Sequence, residues 1–176
     1  MIYYPKKNTG PAAAISIAMY CGAALLFLVS ELGVPYKMVF QLAALVFLSF
    51  GIYFTARYML TDYKYVIKDI EKPHDKVSFA IVKVNGKRET VTANFYLSSV
   101  YAFEKSEGVK KFEKKHGRVD KVYNDRSNFK TSQIYAMAIE FNGMKVLFLL
   151  ELSEEFADEI RARLDDIGFG QDKTTS

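Results

Sequence analysis

Two stretches without a charged side chain, residues 11–30 and residues 38–56, constrain this chain more than any other feature of its sequence. A helix rises about 1.5 Å per residue, so about 20 residues reach across the roughly 30 Å hydrocarbon core of a bilayer. Both stretches are long enough, and both are apolar on every side. A chain of 176 residues has too little other surface to bury two such helices in water, so two membrane-spanning helices are expected. Between them Glu31, Gly33, Pro35, Tyr36 and Lys37 form a helix stop with charged and aromatic groups suited to headgroup depth. A turn this short makes residues 11–60 an antiparallel transmembrane hairpin, preceded by a cytoplasmic segment at residues 1–10. A cleaved leader is disfavoured because the apolar run is too long, no small-x-small site follows it, and a second span comes at once. A lipoprotein anchor at Cys21 is disfavoured by the bulky Tyr20 before it.

Orientation follows from the cations near the helix ends. Lys6 and Lys7 precede the first span, Lys37 alone sits in the turn, and Arg57, Lys64, Lys68 and Lys72 follow the second. The excess on the terminal side puts both termini in the cytoplasm of a plasma-membrane protein. Tyr3, Tyr4, Tyr53 and Tyr58 are placed where an interfacial aromatic belt is expected. Ala14, Ala18 and Gly22 recur at i, i+4 and i+8, a candidate helix-packing stripe for the second span, with a homo-oligomer as the open alternative. Gln41 and Ser49 are uncharged polar groups that need hydrogen-bond partners in hydrocarbon. With no ionisable residue inside either span, transport has little to work with.

Composition changes abruptly after Leu60. Residues 61–176 hold 20 of the 24 lysines and arginines and 19 of the 20 aspartates and glutamates, the balance of a solvated domain. Tyr63, Tyr65 and Ile67 alternate with Lys64 and Lys68 as a strand does, leaving almost no linker. Asn85-Gly86 and Asn142-Gly143 each predict a two-residue hairpin turn, because Asn-Gly tolerates the two positive φ angles of a type I′ turn. In the second hairpin Tyr135, Met137, Ile139 and Phe141 are expected opposite Leu150, Phe148, Val146 and Met144, with Glu140 against Lys145 on the other face. The buried face of the first hairpin is not legible. Residues 95–103 and 119–123 are further strand candidates. The domain ends in an amphipathic helix with Ser153 as N-cap, Glu154 and Glu155 at the positive dipole end, Phe156, Ile160 and Leu164 along one stripe, and Gly168 as its stop. Residues 169–176 read as a flexible polar tail.

The segments Tyr58-Met-Leu-Thr-Asp-Tyr63, Leu97-Ser-Ser-Val100, Asn142-Gly-Met-Lys-Val-Leu-Phe148 and Glu154-Glu-Phe-Ala-Asp-Glu-Ile160 carry a resemblance. Over residues 58–168 the chain resembles the bacterial pleckstrin-homology-like (PH-like) membrane proteins. The resemblance implies an α+β architecture, with an antiparallel PH-like sheet domain at residues 61–168 closed by the C-terminal helix. The charged insertion at residues 104–130 departs from that pattern, so strand order there stays open. A fold of this kind transfers no activity.

The insertion has nine basic and five acidic residues, a net of +4, while residues 140–176 carry four and nine, a net of −5. Lys110, Lys111, Lys114, Lys115 and Arg118 form a candidate contact for anionic lipid, worth about 1 kcal/mol per basic residue near such a surface. The competing reading is a solvated helix at residues 108–116 with an ordinary Glu107–Lys111 pair. No nucleic-acid motif accompanies the cations. One cysteine and two histidines, His74 in a turn and His116 in the insertion, leave no metal-ligand or nucleophile spacing, so neither an enzyme nor a cofactor is expected. The expectation is a membrane protein whose PH-like module binds a protein partner, with anionic-lipid sensing as the alternative.

Overall fold

The computed structural model describes residues 1–33, 35–70 and 76–168. His74 and its predicted turn, and the predicted tail, lie outside the described residues. The chain divides into two compact units, a helical one comprising residues 7–62 and 128–130 and a sheet unit containing the remainder.

The helical unit is an antiparallel pair. Helix α1 spans Gly10–Glu31 and α2 spans Lys37–Phe54, continuing as a π-helical turn over Thr55–Met59. Both are long and apolar enough to cross a membrane, and only 17 % and 11 % of their most apolar stretches are buried within the chain. A core helix of a soluble protein would be mostly covered, and the low burial of these two agrees with association with a membrane. Lys37 Nζ lies 2.9 Å from Glu31 Oε2 across the turn, and Gln41 Nε2 reaches Glu31 Oε1 at 3.5 Å. Ser49 donates to the Leu45 carbonyl at 2.8 Å. Both polar groups flagged in the second span thus have acceptors.

Rings laid on glycines hold the pair together. A Cβ on Gly51 would lie 2.6 Å from the Tyr20 ring, and one on Gly22 would lie 2.9 Å from that of Phe47. Tyr20 is pinned further by a 3.0 Å hydrogen bond between its hydroxyl and Thr55 Oγ1. Gly51→Ala therefore forces the helices apart and is expected to cost about 1–3 kcal/mol, the usual range for overpacking. A lowered thermal midpoint of the full chain in detergent, relative to Ala43→Gly, would register it.

The sheet unit contains two four-stranded sheets. The first has the order β1 (Ile2–Tyr3), β2 (Thr61–Ile70), β3 (Lys76–Asn85), β4 (Arg88–Tyr96). The second has the order β5 (Val100–Lys105), β7 (Ile134–Phe141), β8 (Met144–Glu151), β6 (Lys121–Asn124), antiparallel except where β6 runs parallel to β8. Helix α3 (Val109–His116) belongs to the insertion, and α4 (Glu154–Asp166) follows the last strand.

The second Asn-Gly hairpin matches its prediction, with Tyr135↔Leu150, Met137↔Phe148, Ile139↔Val146, Phe141↔Met144 and Glu140↔Lys145. Asn142 and Gly143 both have positive φ, 51° and 77°, as a type I′ turn requires. The first hairpin differs. Asn85 pairs with Arg88, so Gly86 and Lys87 form the turn, and of these only Gly86 has a positive φ. A bulge at Ile81/Val82 offsets the register so that Phe95 and Ala93 lie opposite Phe79 and Ile81 on the core face.

Three further expectations are corrected. Residues 95–103 are not one strand: a 3-10 turn at Leu97–Ser99 interrupts them, and the chain passes there from one sheet to the other. Ser99 Oγ holds the turn by donating to the Tyr96 carbonyl at 2.7 Å, and Leu97 is fully buried beneath it. Tyr3 is not in an aromatic belt. It lies on β1 opposite Tyr65 and stacks on Phe156, with ring centroids 4.9 Å apart. Residues 1–6 accordingly belong to the sheet unit and not to a separate leading segment.

The main core joins Tyr63, Tyr65 and Ile67 of β2, Phe79 and Ile81 of β3, Tyr135, Met137 and Ile139 of β7, Phe148 and Leu150 of β8, and Phe156, Ala157, Ile160 and Leu164 of α4. Ser153 Oγ accepts from the Phe156 backbone N–H at 3.3 Å, which is the N-cap expected for α4. At the centre of this core the Tyr65 hydroxyl donates to the Asp125 carbonyl at 2.7 Å and accepts from the Glu151 N–H at 3.1 Å. Burial pushes the Tyr65 phenol well above its ordinary range and keeps it neutral.

Candidate interaction surfaces

The insertion is folded rather than looped. On the outer face of the second sheet Ala102, Ala136 and Ala138 leave a shallow floor, and Phe112 of α3 lies on it with Val119 and Leu147, only 2 % exposed. One ring thus anchors a short helix whose mean composition is strongly polar. Val109, Phe112 and His116 share its inner side at i, i+3 and i+7, which turns Lys110, Lys111, Lys114 and Lys115 outward. All four are exposed, as is Arg118 beyond the helix end.

These five residues do not form a uniform field of free charge. Lys111 Nζ pairs with Glu107 Oε2 at 2.8 Å, the expected i, i+4 pair, and Lys115 pairs with Glu104. His116 Nε2 lies 3.2 Å from Glu104 Oε2. Burial alone would raise the Glu104 carboxyl, but the Lys115 hydrogen bond and the nearby His116 imidazole outweigh it and leave the group below the usual carboxylate range. Lys110, Lys114 and Arg118 make no ion pair among the described residues. One side of α3 is thus exposed and carries the lysines, while the other side is core.

Strand β4 forms an edge of the first sheet, hydrogen-bonded to β3 on one side. Its residues 88–92 are all exposed, and Val91 is 59 % exposed although it is β-branched and apolar. Unpaired N–H and C=O groups along a strand edge are the groups to which a further strand can add. It was missed in the sequence because an edge strand and an inner strand of one hairpin alternate alike.

In the helical unit the small-residue stripe lies only partly at the contact. Gly22 meets Phe47, but Ala14 and Ala18 are exposed. The buried residues of the two helices are Ala12, Ser16, Ala23 and Ser30 of α1 and Ala44 and Gly51 of α2. The turn near residue 35 contained the missing signal. In an antiparallel pair, positions equidistant from the turn meet, and Gly51 opposite Tyr20 and Gly22 opposite Phe47 satisfy that rule.

Two membrane-length helices, two small sheets and a helix packed into their shared core place the chain in the class of α+β membrane-associated proteins with a PH-like domain. Over residues 4–166 it matches the model of the bacterial PH-like domain family (DUF6106), and it belongs to that family. The match takes in the helix pair as well as the sheets. No curated protein matches the chain. No solved structure matches it either.

Proposed function

We propose that the protein is a non-catalytic plasma-membrane adaptor that presents its PH-like domain, closed at one end by α4, to a cytoplasmic or membrane protein partner. The observation that carries this reading is the open β4 edge with Val91 uncovered. Cytoplasmic presentation is supported by the excess of lysine and arginine flanking the termini. Pairing of β1 with β2, Ile2↔Val66 and Tyr3↔Tyr65, adds support, because it joins the chain before the first helix to the chain after the second. Two spans and one shared sheet agree with both flanks on one side of the bilayer.

A photocrosslinker placed at Tyr96 in the full chain, activated in native membranes, tests the adaptor reading. A defined partner adduct that Val91→Lys removes and Tyr123→Lys leaves intact is the expected result. An adduct indifferent to Val91→Lys, or no adduct, overturns it, as do adducts with other copies of the chain alone, which would show self-association instead of a separate partner.

The lysine side of α3 favours a second reading, recognition of anionic headgroups. The full chain in zwitterionic nanodiscs would then bind phosphatidylglycerol vesicles in low salt and lose them as salt rises. Reversal of Lys110, Lys111, Lys114 and Lys115 to glutamate should abolish that binding. Absence of binding at low salt removes this reading and leaves the adaptor reading untouched.

A further inference from the structure

Residues 128–130 leave the sheet unit in sequence and join the helical unit in space. Asn128 is 3 % exposed, and its Oδ1 accepts from the Asn8 backbone N–H at 2.5 Å, just ahead of α1. Phe129 meets the second helix edge-on. Its ring centroid is 5.3 Å from those of both Phe54 and Tyr58, with interplanar angles of 71° and 74°. The Arg57 guanidinium lies 5.1 Å over the Tyr58 ring. A three-residue loop is therefore tied by a polar contact to the entry of α1 and by an aromatic trio to the exit of α2.

The helix sets the depth of that trio. Lys37 and Phe54 bound α2, and at about 1.5 Å per residue their Cα atoms are about 26 Å apart along the axis. With Lys37 at one boundary of a hydrocarbon layer about 30 Å thick, Phe54 and the ring touching it fall near the other boundary. Aromatic and basic side chains are the groups that settle there. Phe129 is still 37 % exposed within the chain, and Lys130 beside it is exposed.

We infer that residues 128–130 form a third membrane contact, in which Phe129 occupies the interfacial layer beside Phe54 and Tyr58 and Lys130 reaches the phosphates of anionic lipid. The inference rests on the reading of α1 and α2 as membrane spans. It adds a non-spanning contact to the two spans, made by a loop more than sixty residues downstream of the second.

The sequence contains no tryptophan, so a single introduced one is a clean reporter. Three variants of the full chain, Phe129→Trp, Lys130→Trp and Leu45→Trp, are reconstituted into phosphatidylcholine–phosphatidylglycerol vesicles containing lipids brominated at shallow or deep acyl positions. Leu45→Trp lies about 12 Å along α2 from Lys37 by the same rise and should be quenched most by deep bromines. Phe129→Trp should emit at shorter wavelength than free indole and be quenched more by shallow than by deep bromines. Lys130→Trp, at an exposed position where folding is not at stake, should show the same order more weakly. If Leu45→Trp is quenched while neither loop variant is, the third contact is overturned and the spans stand. Blue-shifted loop emission without lipid quenching overturns it in favour of cover by protein. If Leu45→Trp is not quenched, the membrane reading itself falls, and the third contact with it.

Discussion

Phe156→Ala is expected to destabilise the sheet unit by about 3–5 kcal/mol, the range for removing a fully buried phenylalanine ring. Phe156 is 1 % exposed and stacks on Tyr3, which in turn stacks on Tyr65 at 6.2 Å. The ring thus connects α4, β1 and β2 through one aromatic column. Neighbours this tightly packed relax only partly into a cavity, so the lost contacts are not replaced. Hydrogen exchange on the full chain in detergent is the appropriate measurement, because two units need not unfold together. Amides of α4, β7 and β8 should exchange faster by about two to three and a half orders of magnitude, a factor of ten for each ~1.4 kcal/mol, while α1 and α2 are unchanged. A loss below about 1 kcal/mol, the ordinary effect of a surface substitution, would show that α4 does not close the sheets.

Phe112→Ala should cost a similar amount locally, again about 3–5 kcal/mol, but confined to the outer face of the second sheet. The helix it anchors has eight residues, too few to persist in water once its packing is lost. α3 should therefore melt, and its amide protection should vanish while β7 and β8 keep theirs. No charge changes in this variant. Vesicle binding that survives Phe112→Ala would come from the cations alone, whereas binding that disappears would require the folded lysine side.

Much of this architecture was legible because local patterns and tertiary packing agree. The uncharged runs, the Asn142-Gly143 turn, the alternation in residues 134–150 and the stripe of α4 each report a periodicity that the sequence displays directly. The first hairpin was less legible because a bulge decouples its turn from its register. The insertion was misjudged in part. Its many charges concealed Phe112, and nothing local shows that Ala136 and Ala138 are floor and not surface. Tyr3 and Phe129 were hidden for another reason: their partners, Phe156 in one case and Phe54 with Tyr58 in the other, stand far away along the chain.

Whether this chain seeks lipid, where it turns, and where its last helix begins are decided by residues within one or two turns of each other, since hydrophobic length, turn chemistry and capping act locally. Which strand lies at an edge, which rings share a core and which loop returns to the helices was decided by packing alone. Contacts between distant segments leave no periodic trace, and only closure of the chain brings Phe129 to Phe54 and Tyr3 to Phe156.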